Sequence, residues 1–467
     1  MIDRRELLAT AANLGLLPNV VEKDYVLGWM LAGIFNHPLL APHWVFKGGT
    51  CLKKCYFETY RFSEDLDFTI SDESHLNVEF LLGAFREISA WIYEQAGIEF
   101  PGDKLYFEAF QNRRGGTACQ GRVSYRGPIA PSSGDLPRIK LDLTSDELLV
   151  LPAVNRPVSH PYSDAPLGGI IARCYSYEEV FAEKLRALAE RARPRDLYDV
   201  INLFRHDEFH PAAPIIHDTL TRKCNFKGIT LPTVATLTPL RAELEGDWAV
   251  MLTHQLPALP PVDAFWGELP ALFAWIESGR PQTTPAAYPL SPGDVVIRPP
   301  AGSVSIPGLP STAPLEVIRF SASNRLRVEL DYVDEQGRSG VRIIEPYSLR
   351  RTQAGDIVLH AIRSDNRQHR SYRIDRIRGA RTTQETFTPQ YAVELTPTGP
   401  ISAPTATYIP RISTSKSSHS GPKYVYQCGL CGKRFEHSKR DSTLRKHKSS
   451  SGWPCSGRHG IWLDTKW

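Results

Sequence analysis

Between Trp44 and Ile70 the chain has little freedom. Trp44, Val45 and Phe46 form a short apolar run that stops at Gly48-Gly49, the pattern of a buried strand entering a tight turn. Thr50 is placed to cap a helix starting near Cys51. Glycines beside a helix N-terminus let backbone N–H groups come close to a phosphate. Downstream, Leu66, Phe68 and Ile70 alternate with Asp65, Asp67 and Thr69. That is strand periodicity, so Asp65 and Asp67 project from one side. A phosphate cradle followed by paired carboxylates suits metal-assisted nucleotide chemistry, because Mg2+ takes oxygen ligands and bridges to phosphate oxygens. Alone, a Gly-Gly is usually a turn and an Asp-x-Asp usually a solvated face; their spacing here is what gives them weight together.

Gly48-Gly49-Thr50 followed by Asp65-Leu66-Asp67 resembles the signature of the nucleotidyltransferase superfamily. The fuller string, with Lys47, Leu52, Lys53 and Arg61-Phe62-Ser63-Glu64, resembles the AbiEii/AbiGii toxin family. Glu22-Lys23-Asp24-Tyr25 is on pattern alone a charged helix face, and is similar to a string this family carries ahead of the glycine turn. Glu183-Lys184-Leu185-x-Ala187-Leu188, then Arg191-x-Arg193-Pro194-Arg195-Asp196-Leu197-Tyr198-Asp199, resembles another block of the family, and the blocks follow its order. The resemblance implies an α/β core with Asp65 and Asp67 holding Mg2+. It implies triphosphate contacts from Gly48, Gly49, Thr50, Lys53 and Ser63, with Lys184 neutralising the phosphates. Asp199, ahead of Asp196, would orient Lys184. Arg138–Leu143 alternates so that Lys140 and Asp142 share a side, as polar residues do on most half-buried strands. In the superfamily a third carboxylate on a neighbouring strand completes the metal site or serves as base, which implies Asp142.

A chain of 467 residues is too long for one ordinary domain. No apolar run is long enough to span a membrane, and the start lacks the apolar stretch of a signal peptide. A cytoplasmic location follows, with no membrane partner. Helices are expected near residues 7–14, 20–34, 80–96 and 265–276. Ser176-Tyr177-Glu178-Glu179 has the capping-box form and opens a further helix that Pro194 ends. Residues 106–125 read as strands around the Arg113–Gly116 turn. The N-terminal domain would span 1–278. Prolines crowd 279–315 and suggest an extended linker, with one short strand at Val295-Val296-Ile297.

Residues 316–397 read as short strands, a small all-β SH3-like barrel. Arg342-x2-Glu345-Pro346 and Arg373-Ile374-Asp375-Arg376-Ile377 resemble the WYL domain, whose Trp-Tyr-Leu is replaced here by Ile357-Val358-Leu359. Arginine forks suit phosphate, making Arg342, Arg370, Arg373 and Arg376 candidates for nucleic-acid contact. The competing reading is cross-strand ion pairing on the sheet surface.

A second linker, 398–422, leads to a tail at 423–467. Five of the eight cysteines are scattered, while Cys428, Cys431 and Cys455 cluster, which suggests metal rather than disulfides. Cys428-x2-Cys431 with Phe435, Leu444 and His447 resembles a CCHH zinc finger, a knuckle followed by a helix. Zinc takes four N or S ligands; Cys428, Cys431, His447 and Cys455 are the candidate set for structural Zn2+. His459 could replace Cys455, and His437 is a weaker option. The tail carries ten Lys/Arg against three Asp/Glu. Basic residues such as Arg445 and Lys446, with Tyr424, Tyr426, Trp453 and Trp462 interleaved, suit nucleic acid; a protein-binding finger is the alternative.

The chain is thus expected to be multidomain α/β with a mixed sheet, a small β domain and a zinc finger. The resemblance implies a nucleotidyltransferase that moves an NMP from an NTP to an acceptor. The acceptor implied is an RNA 3′ end such as tRNA, in a toxin–antitoxin or phage-defence setting with a cognate antitoxin as partner. Two other readings stand beside it: a nucleic-acid-binding regulator that keeps the fold without turnover, and nucleotidylation of a protein.

Overall fold

The computed structural model describes residues 1–14, 16–57, 61–112, 114–129, 135–206, 211–279, 286, 288–289, 295–296, 313–352, 356–395, 423–449 and 454–466. Trp453, Ile297, Arg113, and nearly all of the two expected linkers lie outside them. The described residues fall into two compact units, Met1–Ala403 and Pro404–Trp467.

The first unit is built on a seven-stranded mixed sheet. Its elements are α1 (Arg4–Leu14), α2 (Pro18–Asn36), β1 (Trp44–Lys47), the short helix α3 (Gly48–Cys51) and β2 (Asp65–Ile70). Next come α4 (Val78–Ala96), β3 (Leu105–Gln111), β4 (Thr117–Ser124), β5 (Arg138–Thr144), β6 (Val154–Pro157) and β7 (Ile171–Cys174). The order across the sheet is β3-β4-β5-β2-β1-β7-β6. β1 and β2 are antiparallel with Phe46 opposite Phe68, and β2 and β5 are parallel with Asp67 opposite Asp142. Because side chains alternate along a strand, one register decides both faces. Leu66, Phe68, Ile139, Leu141 and Leu143 go into the core, and the aspartates go to the other side. α4 starts at an Asn77 cap, whose side-chain oxygen accepts from the Phe80 N–H at 3.1 Å, and stops at Gly97, which is left-handed with φ +66°.

A helical layer follows: α5 (Tyr177–Arg191), α6 (Pro194–Arg205), α7 (Ala213–Lys227), α8 (Val234–Leu237), α9 (Arg241–Leu252), α10 (Asp263–Trp266) and α11 (Leu269–Ser278). Ser176 caps α5 as expected. Glu179 is fully buried: its carboxylate accepts from the N–H groups of Val150 and Leu151 and pairs with Lys223 at 2.7 Å. It ties a loop and α7 to α5. Among the described residues no helix is long and apolar enough to cross a membrane.

β8 (Val295–Val296) is followed by α12 (Ala313–Ser323), then β9 (Leu326–Val333), β10 (Ser339–Arg351), β11 (Ile357–Arg363), β12 (His369–Arg373) and β13 (Ile377–Thr386). These strands run β12-β11-β10-β9-β13, with β8 beside β10. Leu326, Val328, Leu330 and Tyr332 point inward as their alternation predicts. The sequence reading of this region as strands alone missed α12. Phe320 of α12 and Leu326 join the core of the N-terminal sheet, and the Tyr198 hydroxyl donates to Asn324 Oδ1 at 2.9 Å.

The second unit centres on β14 (Lys423–Cys428), flanked by β15 (Arg434–His437) and, at the end of the chain, β18 (Gly460–Lys466). A two-strand ladder, β16 (His447–Lys448) with β17 (Pro454–Cys455), brings His447 opposite Cys455. The helix expected after the knuckle is absent among the described residues. His447 sits on a strand, and the Leu444 N–H is bonded to the Arg458 carbonyl, so antiparallel pairing takes the place of a helix.

The Glu22–Tyr25 string is not a solvated helix face. Asp24 is buried, its carboxylate held by Lys54 at 2.7 Å and by the Tyr162 hydroxyl at 3.0 Å. Close by, the His160 side chain is only 2% exposed, and neither ring nitrogen has a hydrogen-bond partner. Gly28 is needed here, because a Cβ would lie 2.1 Å from His160 Nδ1. Burial, reinforced by Lys54 and opposed by Asp24, pushes the imidazole down to about 3. An unfolded His titrates near 6.5, so between these values the unfolded chain binds the extra proton and stability falls as pH falls. Urea unfolding should lose about 2 kcal/mol from this group between about pH 6.5 and pH 5. His160→Phe should flatten that slope; an unchanged slope contradicts the assignment.

Candidate functional site

The site is assembled where β1 ends. Gly48 takes φ +81°, and a Cβ there would lie 2.1 Å from Asp67 Oδ2, so only glycine lets the turn pass so close to the carboxylate. Gly49 is similarly tight against Arg61 Nη2 and Ser63 Oγ. The Thr50 hydroxyl donates to the backbone carbonyl of Asp65 and clamps the turn to β2. Asp67 lies between Lys47 on β1 and Asp142 on β5, and Asp65 is level with Lys140. Asp65, Asp67 and Asp142 therefore share one sheet face, as the alternation predicts.

Their electrostatics show crowding. Burial, then repulsion by Asp142, pushes Asp67 up to about 6, against the pull of Lys47 and Lys184. Burial and Asp65 likewise push Asp142 upward. Three carboxylates whose charges oppose one another offer only oxygen, the donor type that a hard divalent cation such as Mg2+ takes, but their oxygens are not drawn together as the tail's ligand atoms are.

Lys184, on α5, reaches the same place. Its ammonium is 2.7 Å from Asp199 Oδ2 and 3.4 Å from Asp196 Oδ1. Asp199 also takes a two-pronged contact from Arg61, Nε to Oδ1 and Nη2 to Oδ2, both at 2.7 Å, while Arg61 Nη1 donates to Gln255 Oε1 at 3.0 Å. Asp196 is occupied chiefly by Arg191, at 2.7 Å. Geometry thus ranks Asp199 above Asp196 as the partner that orients Lys184. Burial alone would raise the Asp199 carboxyl, but Arg61 and Lys184 hold it well below the usual carboxylate range.

Lys53 is buried with its ammonium 4.8 Å from the Phe62 ring. Sequence reasoning missed three cations. Arg61 holds Asp199. Lys47 faces Asp67 and lies 3.7 Å from Glu147. Arg195 acts on Asp65, Asp199 and Glu64, and its buried Nε has no hydrogen-bond partner. All three stand inside the quoted motifs, and only the tertiary contacts give them roles.

Two of the four candidate β-domain arginines follow the ion-pair reading. Arg373 pairs with Asp356 and Asp375, Arg376 with Glu335, and Arg342 donates to the carbonyls of Tyr332 and Gly340. Arg370 donates to the Gln368 side chain. The charges of Arg373 and Arg376 are met locally, which weakens them as phosphate ligands, while Arg342 and Arg370 bond only neutral oxygens. Arg445 and Lys446 in the tail are exposed.

In the tail, Cys428, Cys431, His447 and Cys455 converge, all ligand atoms within 4.8 Å of one another. Cys428 and Cys455 sulfurs are 3.8 Å apart, and Cys431 Sγ is 3.1 Å from His447 Nε2. His447 Nδ1 lies 2.9 Å from the Arg445 carbonyl, which makes Nδ1 the donor and leaves Nε2 to ligate. A Cβ on Gly457 would come within 2.5 Å of Cys428 Sγ, so the loop is shaped around the thiols. The set fits zinc. His459 is instead bridged to Thr443, and His437 lies on β15 opposite Tyr424.

Replacing Asp199 by Ala would leave Arg61 and Lys184 buried without their carboxylate, a loss of about 3–5 kcal/mol. Urea denaturation of Asp199→Ala should show it. A loss under about 1 kcal/mol, the range of an exposed pair, would contradict this reading of the network.

The family model of the AbiEii nucleotidyl transferase toxin of type IV toxin–antitoxin systems matches residues 29–275, and that of the WYL domain matches residues 314–382. Among solved structures the chain is similar to MenT4, a nucleotidyltransferase toxin from Mycobacterium tuberculosis H37Rv. The identity is 18%, over 60% of this chain and 90% of that one, with a TM-score of 0.34. It is also similar to proteasome accessory factor B/C of Arthrobacter aurescens, at 13% identity over 62% of this chain and 41% of that one, with a TM-score of 0.16. At these scores neither superposition adds to the site argument. The comparison with curated proteins gave no match. The AbiEii match covers more than half of the sequence: the chain belongs to the AbiEii family of nucleotidyltransferase toxins and carries a WYL domain behind the transferase.

Proposed function

We propose that the enzyme transfers a nucleoside monophosphate from an NTP to an RNA 3′ end, with tRNA as the acceptor class, and releases pyrophosphate. The observation that carries this is the meeting of Asp65, Asp67 and Asp142 with Lys184 beside the Gly48-Gly49-Thr50 turn. Bound Mg2+, held by Asp65 and Asp67 with Asp142 completing the set, would supply charge neutralisation at the phosphates. The rest falls to the chain. Gly48, Gly49, Thr50, Ser63 and Lys53 would contact the triphosphate. Lys184, oriented by Asp199, offsets the charge of the leaving pyrophosphate. Asp142 sits at the edge of the trio with a raised pKa. As the alternative to completing the metal set, Asp142 would accept the acceptor hydroxyl proton.

Residues 1–278 form the transferase module in this reading, 316–397 the WYL module and 423–467 a zinc-stabilised finger, joined by the linkers 279–315 and 398–422. The finger's excess of Lys/Arg and its exposed Arg445 and Lys446 support contact with nucleic acid. The setting is cytoplasmic, in a toxin–antitoxin or phage-defence system with a cognate antitoxin.

The test is to incubate the protein with Mg2+, cellular RNA and each α-32P-labelled NTP in turn. Label should enter RNA with the wild type, and fall at least about a hundredfold in Asp65→Ala/Asp67→Ala, the scale of losing a principal electrostatic contact. Label in protein would replace the RNA reading with protein nucleotidylation. Absence of transfer with every NTP would overturn the reading.

A further inference from the structure

Cys51, Cys55 and Cys174 are three of the cysteines that look scattered in the sequence. The fold brings their sulfurs together, every pair within 4.8 Å. All three are buried, with exposures of 0, 5 and 0%. Single buried cysteines are ordinary small apolar core residues. Three sulfurs closing on one point, from three elements and across more than a hundred residues of sequence, are a different object. Zinc–sulfur bonds of about 2.3 Å at tetrahedral angles separate sulfurs by about 3.8 Å. That is the spacing of Cys428 and Cys455 in the tail and lies within the limit that bounds this trio.

Local structure supports a built site. Cys51 ends α3, and Cys55 lies on the π-helical turn Leu52–Tyr56, closed by the Phe57 N–H on the Leu52 carbonyl at 2.7 Å. Such turns are rare and occur often at functional sites. Cys174 ends β7, where it pairs with Phe46 in parallel register. The core also supplies a counter-charge. Arg156 donates from Nε to the Cys55 carbonyl at 2.8 Å, lies over the Tyr56 ring, and acts electrostatically on both Cys55 and Cys174. Three thiolates around a divalent ion leave one net negative charge, which a neighbouring guanidinium offsets.

We propose that Cys51, Cys55 and Cys174 supply three of the ligands of a second metal site, taking a thiophilic ion of the zinc class. Its place gives it a purpose. Cys51 follows Thr50 of the phosphate-binding turn directly, and Cys174 stands two residues before Ser176, the cap of the helix that carries Lys184. An ion here clamps the glycine turn to the start of the lysine helix, so the two halves of the nucleotide seat hold a fixed separation. Because the trio is buried, the ion enters during folding and leaves on unfolding. The tail site, with Cys431 and Cys455 partly exposed, exchanges more readily.

The test is metal counting on the full-length protein, refolded with zinc chloride, desalted, and measured by elemental mass spectrometry. Wild type should hold two equivalents. Cys428→Ser/Cys431→Ser should keep one, and should retain it against a chelator until urea unfolds the chain. Cys51→Ala/Cys174→Ala should also hold one, which the chelator removes from the native protein. A tail variant that carries no zinc overturns the proposal, and this arm does not depend on a core substitution being tolerated. Equal zinc in wild type and a folded Cys51→Ala/Cys174→Ala variant overturns it as well.

Discussion

One buried carboxylate holds the transferase together. Asp199 is fully enclosed and takes charge-assisted hydrogen bonds from Arg61 and Lys184. Arg61 comes from the segment between the glycine turn and β2, Lys184 from α5 and Asp199 from α6. One ionic knot therefore joins the turn, the carboxylate strand and the lysine helix. Removing a charge from water is expensive, and such a group is tolerated only when its partners are complete. Here they are, with Gln255 taking a remaining Arg61 N–H. The arrangement also spaces the charges. Lys184 is held by Asp199 yet close enough to draw on Asp67, poised to share itself with an incoming anion.

The preceding residue on α6 extends the knot to the WYL module. Tyr198 stacks on Phe265 and donates its hydroxyl to Asn324, and Phe320 and Leu326 belong to the same apolar core as the N-terminal sheet. The transferase and the WYL module thus share packed core, within one compact unit.

Much of this was legible in the sequence, because the transferase's strands and glycine turn are short-range patterns. The alternation of Leu66, Phe68 and Ile70 against Asp65 and Asp67, the glycine stop and the Ser176 cap each follow from neighbours a few residues apart. The family resemblance supplied the order of the blocks. What was not legible depends on tertiary contact. The role of Arg61 exists only where it meets a carboxylate 138 residues away. Cys51, Cys55 and Cys174 read as scattered because a strand register, not a spacing, unites them. α12 was hidden in a stretch judged by the strands that follow it. The tail's helix was implied by the zinc-finger resemblance and is replaced by strand pairing, whereas the ligands themselves, chosen by chemistry, do converge.

Crowded aspartates that form a cation site completed by a nucleotide should bind metal and NTP together. Mn2+ binding reads this out, followed by electron paramagnetic resonance as the protein is titrated with each NTP in turn, for wild type and Asp67→Asn. One NTP at least should tighten Mn2+ binding to wild type, and Asp67→Asn should lose this gain while remaining folded. Equal Mn2+ binding by the two proteins in the presence of every NTP would contradict this.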